Sequence, residues 1–95
     1  MLEYLRAHIL EEVDGAIDYM EKAVAHKGTQ CGATFYAMSV MESEHANTLY
    51  RMFSKMSKEE DLTDKQYSEM LKSILDKYMN GMARFETLKK LYYAA

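Results

Sequence analysis

Apolar residues recur every three or four positions along three long segments of the chain, which is the spacing of one helix face. The repeating positions of the first segment are Leu2, Leu5, Ile9, Glu12, Ala16, Tyr19, Ala23 and His26. This pattern predicts a first amphipathic helix over residues 1–27. Gly28 then suits the left-handed conformation that ends a helix, and the short Gly-Thr-Gln connection predicts an antiparallel return.

The second segment predicts a helix over residues 31–56. Its repeat, which we call the Glu42 stripe, comprises Cys31, Phe35, Met38, Glu42, His45, Leu49, Met52 and Met56. We expect this stripe to face the core, with Cys31 as a small core residue. Ser39, Ser43 and Ser54 fall outside the stripe and are expected away from the core.

The polar run from Ser57 to Leu62 predicts a loop in which the acidic residues 59–61 are solvated. The sequence from Thr63 to Gln66 has the form of a capping box, so a third helix is expected over residues 64–93. Gly81 lies in its apolar face, where it either permits a close helix approach or is simply tolerated. That face, which has no His or carboxylate, comprises Tyr67, Met70, Leu71, Ile74, Tyr78, Met82, Phe85, Leu88 and Tyr92.

These elements predict one all-α domain over residues 1–95, an antiparallel helical hairpin plus a third long helix. A lone core of this size gives only marginal stability, so self-association is expected. The formal net charge of -3 offers no basic surface for nucleic acid. No apolar run is long enough to span a membrane, and no signal-like segment opens the chain, so we expect a cytoplasmic protein.

Three charged or ionisable side chains interrupt the predicted apolar faces. Glu42 and His45 lie within the Glu42 stripe, and Glu12 lies within the face of the first helix. A buried carboxylate costs several kcal/mol unless it is paired, protonated or bound to a metal. An antiparallel return at Gly28 puts Glu12 opposite His45, with Glu42 one helical turn, roughly 4 to 5 Å, away. The sequence therefore predicts a metal site, and the alternative is a hydrogen-bonded polar cluster that fixes helix register.

The predicted ligands, Glu12, Glu42 and His45, suit iron, with manganese or zinc as alternatives. Three groups make a sparse shell, and the third helix offers none, so the remaining ligands must come from water or from a second copy of the chain. Two copies would place four Glu and two His around two ions, with about four charges of each sign in balance. This charge balance favours a homodimer or a higher even oligomer.

At these residues the chain resembles the ferritin-like superfamily, whose di-iron carboxylate sites combine a Glu on one helix with Glu-x-x-His on the next. The stretches 11–19, with Glu12 and Tyr19, and 41–46, with Glu42 and His45, carry the resemblance. Encapsulated ferritins are similar in that their short chains form the di-iron site only across a subunit interface. Small ferritin-like proteins of bacterial and prophage genomes are also similar.

The resemblance implies a ferritin-like bundle completed by homodimerisation, with Glu12, Glu42 and His45 as iron ligands. It implies that Tyr19 neighbours the site, although Tyr19 also fits as an aromatic residue at the edge of the helix face. The long third helix does not match encapsulated ferritins, and no Gly- and Leu-rich tail follows Tyr93. His8 and His26 are expected to be structural or surface residues.

Two functions from different classes follow from the sequence. The first is a dinuclear iron or manganese centre that can oxidise Fe(II), with no catalytic residue assigned beyond the ligands. The second is a non-catalytic structural or adaptor bundle of phage origin, in which the polar layer only fixes register. Oxygen-dependent iron oxidation separates them, whereas bound metal alone does not.

Overall fold

The computed structural model describes residues 1–60 and 62–94. They form three α-helices, α1 (Leu2–Ala25), α2 (Gln30–Glu59) and α3 (Asp64–Tyr93), and no strand occurs among them. The molecule is elongated, with extents of 50 × 18 × 15 Å. The all-α fold predicted from the sequence is confirmed. Nowhere in the described ranges is there a helix apolar and long enough to cross a membrane.

The turn between α1 and α2 reverses the chain at the predicted glycine. Gly28 has a φ of +85°, the left-handed conformation that residues other than glycine rarely adopt. Thr29 caps α2, since its hydroxyl oxygen accepts a 3.0 Å hydrogen bond from the backbone N–H of Gly32. A side chain at Gly32 would collide with the carbonyl oxygen of His26, so this tight turn depends on glycine at both positions.

Helix α1 lies at the centre of the bundle and packs against both other helices. Its buried residues are Leu2, Leu5, Ile9, Val13, Ala16, Met20 and Ala23. The predicted face of α3 is confirmed, because Ile74, Phe85 and Leu88 are buried. A Cβ at Gly81 would collide with Val13, so this glycine permits the close approach of α3 to α1.

The core face of α2 differs from the prediction by one residue along the helix. Its buried residues are Gly32, Ser39, Ser43, Ala46, Phe53 and Ser57, rather than the Glu42 stripe. Ser39 and Ser43 were therefore wrongly expected outside the core, and Cys31 is exposed rather than a core residue. The reason is close packing: the Ser39 hydroxyl donates a 2.5 Å hydrogen bond to the Ala16 carbonyl, and small side chains let the helices approach.

The predicted loop after residue 56 is shorter than expected, because α2 continues to Glu59. Ser57 is buried and donates a 3.0 Å hydrogen bond to the carbonyl oxygen of Ser54, so its polarity does not end the helix. Asp61, the last of the predicted acidic loop residues, lies outside the described residues. The capping box at the start of α3 is confirmed by reciprocal 3.1 Å hydrogen bonds between Thr63 and Gln66.

Tyrosines join α2 to α3. Tyr50 and Tyr78 stack with ring centroids 4.2 Å apart, and Tyr36 stacks on Tyr92 at 4.5 Å. The Tyr78 hydroxyl also donates a hydrogen bond to the side-chain oxygen of Asn47. These contacts hold α3 on one side of the α1–α2 hairpin. Four members of the Glu42 stripe are exposed: Cys31, Met38, His45 and Met52.

Candidate metal centre

The three predicted ligand residues lie together in the folded chain. One donor atom from each of Glu12, Glu42 and His45 lies within 4.8 Å of the others. Glu12 comes from the middle of α1, and the other two lie one turn apart on α2. The Nδ1 atom of His45 is 3.7 Å from Oε2 of Glu12, so the predicted antiparallel register is confirmed. Whether these groups are metal ligands stays a prediction.

Glu12 has a carboxylate oxygen that no protein group satisfies. Its side chain is only 23% exposed, and Oε2 is buried without a hydrogen-bond partner. Leaving a buried charged acceptor unpaired is costly, so such a group calls for a proton or a cation. Glu12 therefore fits a metal ligand better than it fits a core residue.

Glu42 experiences the negative charge of its neighbour. The Glu12 carboxylate, as the hydrogen-bond acceptor for a protonated Glu42 and as a nearby charge, raises the pKa of Glu42 to about 7. Burial also raises this pKa, and His45 opposes both effects. Two carboxylates this close resist simultaneous ionisation, and a divalent cation between them would remove that conflict.

His45 is more exposed than the sequence predicted. Its side chain is 55% accessible to solvent, whereas both carboxylates are partly buried. The expectation of three core-facing groups was therefore wrong for His45, because the Glu42 stripe lies at the edge of the α1–α2 contact. Beside it is a groove of about 300 Å³, lined by Tyr4, His8, Glu12, His45, Thr48 and Leu49.

Gly15 is a member of the site that the sequence interpretation missed. A Cβ atom placed on Gly15 would lie 3.0 Å from Oε2 of Glu42, so the glycine leaves the space that this carboxylate occupies. The available signal was a glycine in the middle of a helix, where alanine is favoured. The predicted antiparallel register also places residue 15 opposite residue 42.

The other polar and aromatic candidates do not join the cluster. Tyr19 stacks on Phe35 with centroids 6.1 Å apart, as an aromatic residue at the helix edge would. His8 instead pairs with Glu11 at 3.7 Å, and His26 is an exposed residue near Phe35. Among residues 1–60 and 62–94, α3 supplies no member of the group.

The donor set fits a first-row transition metal. Two carboxylates and an imidazole offer hard oxygen and borderline nitrogen donors, which suit iron, manganese or zinc. The unpartnered oxygen of Glu12 and the space at Gly15 both match a site arranged to hold a cation. One chain supplies only these three groups, so the shell is incomplete within the described part of the monomer.

The comparison with protein families agrees with this chemistry. The family model described as Rubrerythrin matches residues 3–91, which takes in nearly all of the three helices and the whole cluster. No curated protein and no solved structure matches the chain. Rubrerythrins typically bind iron, and the match indicates a ferritin-like di-iron carboxylate protein. The chain belongs to the rubrerythrin family, within the ferritin-like superfamily.

Proposed function

We propose that this chain is a homodimeric iron protein in which two copies share one dinuclear carboxylate centre and oxidise Fe(II), with dioxygen as the electron acceptor. The observation that carries the proposal is the convergence of Glu12, Glu42 and His45, with His45 exposed to solvent and no member from α3 among the described residues. Ferritin-like di-iron sites use a Glu from each of two helices and Glu-x-x-His from each of two more. One chain holds half of that set, and a two-fold partner would supply the other half.

The apolar surface around the cluster supports a partner at this side. Met38 and Met52 of the Glu42 stripe are 36% and 45% exposed, and Met41 beside the stripe is 55% exposed. Methionines pack adaptably and are unfavourable in contact with water over a large area. A second copy that packs here through its own Glu42 stripe would bury these side chains and exclude water from His45.

The three residues would provide different donor atoms to two metal ions. Glu12 and Glu42 would provide oxygen donors from each copy, and His45 would provide a nitrogen donor. Four carboxylates balance about four positive charges, so the paired site loses the repulsion between Glu12 and Glu42. Bound iron would supply the one-electron redox change, which side chains alone do not provide.

The test measures metal and assembly together. Fe(II) under anaerobic conditions should shift sedimentation of the wild-type protein toward dimers, with a metal-to-chain ratio near one, and raise its melting temperature. Admitting oxygen should then produce Fe(III) faster than in protein-free buffer. Glu42→Ala should lose the assembly response and the oxidation, whereas Glu44→Ala, at an exposed position on the same helix, should keep them.

Two outcomes would contradict the shared site. A monomer that binds two ions tightly would show that one chain is sufficient. A dimer that binds no metal at saturating Fe(II) would favour the alternative of a structural or adaptor bundle. That alternative is supported by the raised pKa of Glu42, because a neutral Glu42 carboxyl group beside Glu12 lowers the cost of the polar cluster without metal.

A further inference from the structure

We propose that Gly15 is a positioning residue for Glu42, reserving the space in which the Glu42 carboxylate meets Glu12 and His45. This inference rests on the proposed metal site and deepens it. It concerns how the chain holds a ligand in place before metal arrives. Gly15 itself has no side chain that could touch a metal.

The contact at Gly15 is specific to one side chain. The three atoms nearest to a Cβ built on Gly15 are Oε2, Cδ and Cγ of Glu42, at 3.0, 3.6 and 3.6 Å. The Glu42 side chain therefore lies across the bare backbone of α1. From there its carboxylate comes within 4.8 Å of the donor atoms of Glu12 and His45.

Backbone geometry does not explain this glycine. Gly15 lies in the middle of α1, and the only glycine with positive φ in the described residues is Gly28. Glycine in a helix interior destabilises a protein relative to alanine, because a glycine residue loses more conformational freedom when the chain folds. What glycine provides at position 15 is space, and the group that occupies the space belongs to the candidate metal centre.

An alanine at position 15 should move the ligand rather than the helix. A contact of 3.0 Å is too short for a comfortable Cβ neighbour, so one partner must shift by a few tenths of an ångström. The carboxylate is the flexible end of its side chain, whereas the α1 backbone is held by core packing on both sides. Metal sites require their donors within about 0.5 Å of the working geometry, so a small shift weakens binding.

The experiment compares stability with metal affinity in Gly15→Ala. Its metal-free form should melt a few degrees above wild type because alanine favours the helix. Its affinity for Mn(II), measured by titration calorimetry, should fall roughly 10-fold, as for other groups that orient a metal ligand. The matched control is Asp14→Ala, an exposed neighbour on α1, which should bind Mn(II) like wild type.

The possible results separate this inference from the proposed function. Wild type that binds Mn(II) and Gly15→Ala that binds it equally well would overturn the role of Gly15 and leave the metal site standing. A Gly15→Ala protein that loses both stability and affinity would indicate a general structural defect and would also overturn positioning. Wild type that binds no Mn(II) or Fe(II) would overturn both proposals.

Discussion

His45 and Glu12 face each other across the α1–α2 contact, with 3.7 Å between Nδ1 of the imidazole and Oε2 of the carboxylate. That carboxylate oxygen is buried and has no hydrogen-bond partner. The imidazole, by contrast, is more than half exposed. The pair thus places a buried carboxylate oxygen without a partner next to an imidazole nitrogen at the surface. The imidazole lies on the side where a second chain is proposed to bind.

Replacing either residue with alanine should remove metal without unfolding the chain. Glu12→Ala or His45→Ala should lower Mn(II) affinity by more than roughly 100-fold. Mutating a group that only orients a metal ligand already lowers metal affinity about 10- to 100-fold. Helical circular dichroism should persist, since neither Glu12 nor His45 belongs to the apolar core that holds α1 against α2, and Oε2 of Glu12 has no hydrogen-bond partner to lose. Metal analysis of the dialysed proteins checks the first expectation.

Glu11→Ala is the control for this prediction. The side chain of Glu11 is 74% exposed, compared with 23% for Glu12, because the two residues point about 100° apart on α1. Glu11→Ala should therefore retain wild-type metal content. Equal losses in Glu11→Ala and Glu12→Ala would mean that affinity depends on the overall negative charge of α1 rather than on a placed ligand.

The stability of the metal-free protein should depend on the protonation of Glu42. Its pKa rises from 4.5 to about 7 in the folded chain, mainly because of Glu12. Between those pH values the folded state binds more protons than the unfolded state, so the free energy of unfolding should fall as pH rises. Denaturant unfolding in chelator at about pH 5 and about pH 8 measures this loss.

Glu42→Gln isolates the contribution of this carboxyl group from other titrating residues. The variant cannot ionise at position 42, so its stability should change less between the two pH values than that of wild type. An identical pH dependence in both proteins would mean that Glu42 titrates normally. In that case the repulsion between Glu12 and Glu42 would be absent in solution.

Gly81→Ala should have the opposite effect on stability from Gly15→Ala. A Cβ at Gly81 meets the buried side chain of Val13, which packed helices hold in place. Overpacking of this kind costs about 1 to 3 kcal/mol, more than the roughly 0.5 to 1 kcal/mol that alanine contributes to a helix. Thermal unfolding should show a lower melting temperature than wild type, and an increase would contradict the close contact between α1 and α3.

The sequence alone determined most of the helical framework. The period of apolar residues predicted three helices, and Gly28 predicted the turn between α1 and α2. The run from Thr63 to Gln66 predicted the capping box at the start of α3. These are local features, since each depends on residues within a turn or two of one another. The opposition of Glu12 and His45 followed as well, because a short turn leaves little freedom in the register of an antiparallel hairpin.

Only the tertiary structure decided which face of α2 enters the core. The Glu42 stripe is the more hydrophobic pattern, yet Ser39, Ser43 and Ala46 are buried against α1. Periodicity shows how apolar a helix face is. It does not show how closely two helix backbones approach each other, and a close approach favours small side chains at the contact. Gly15 was missed for the same reason, because its role depends on where the side chain of Glu42 lies on the other helix.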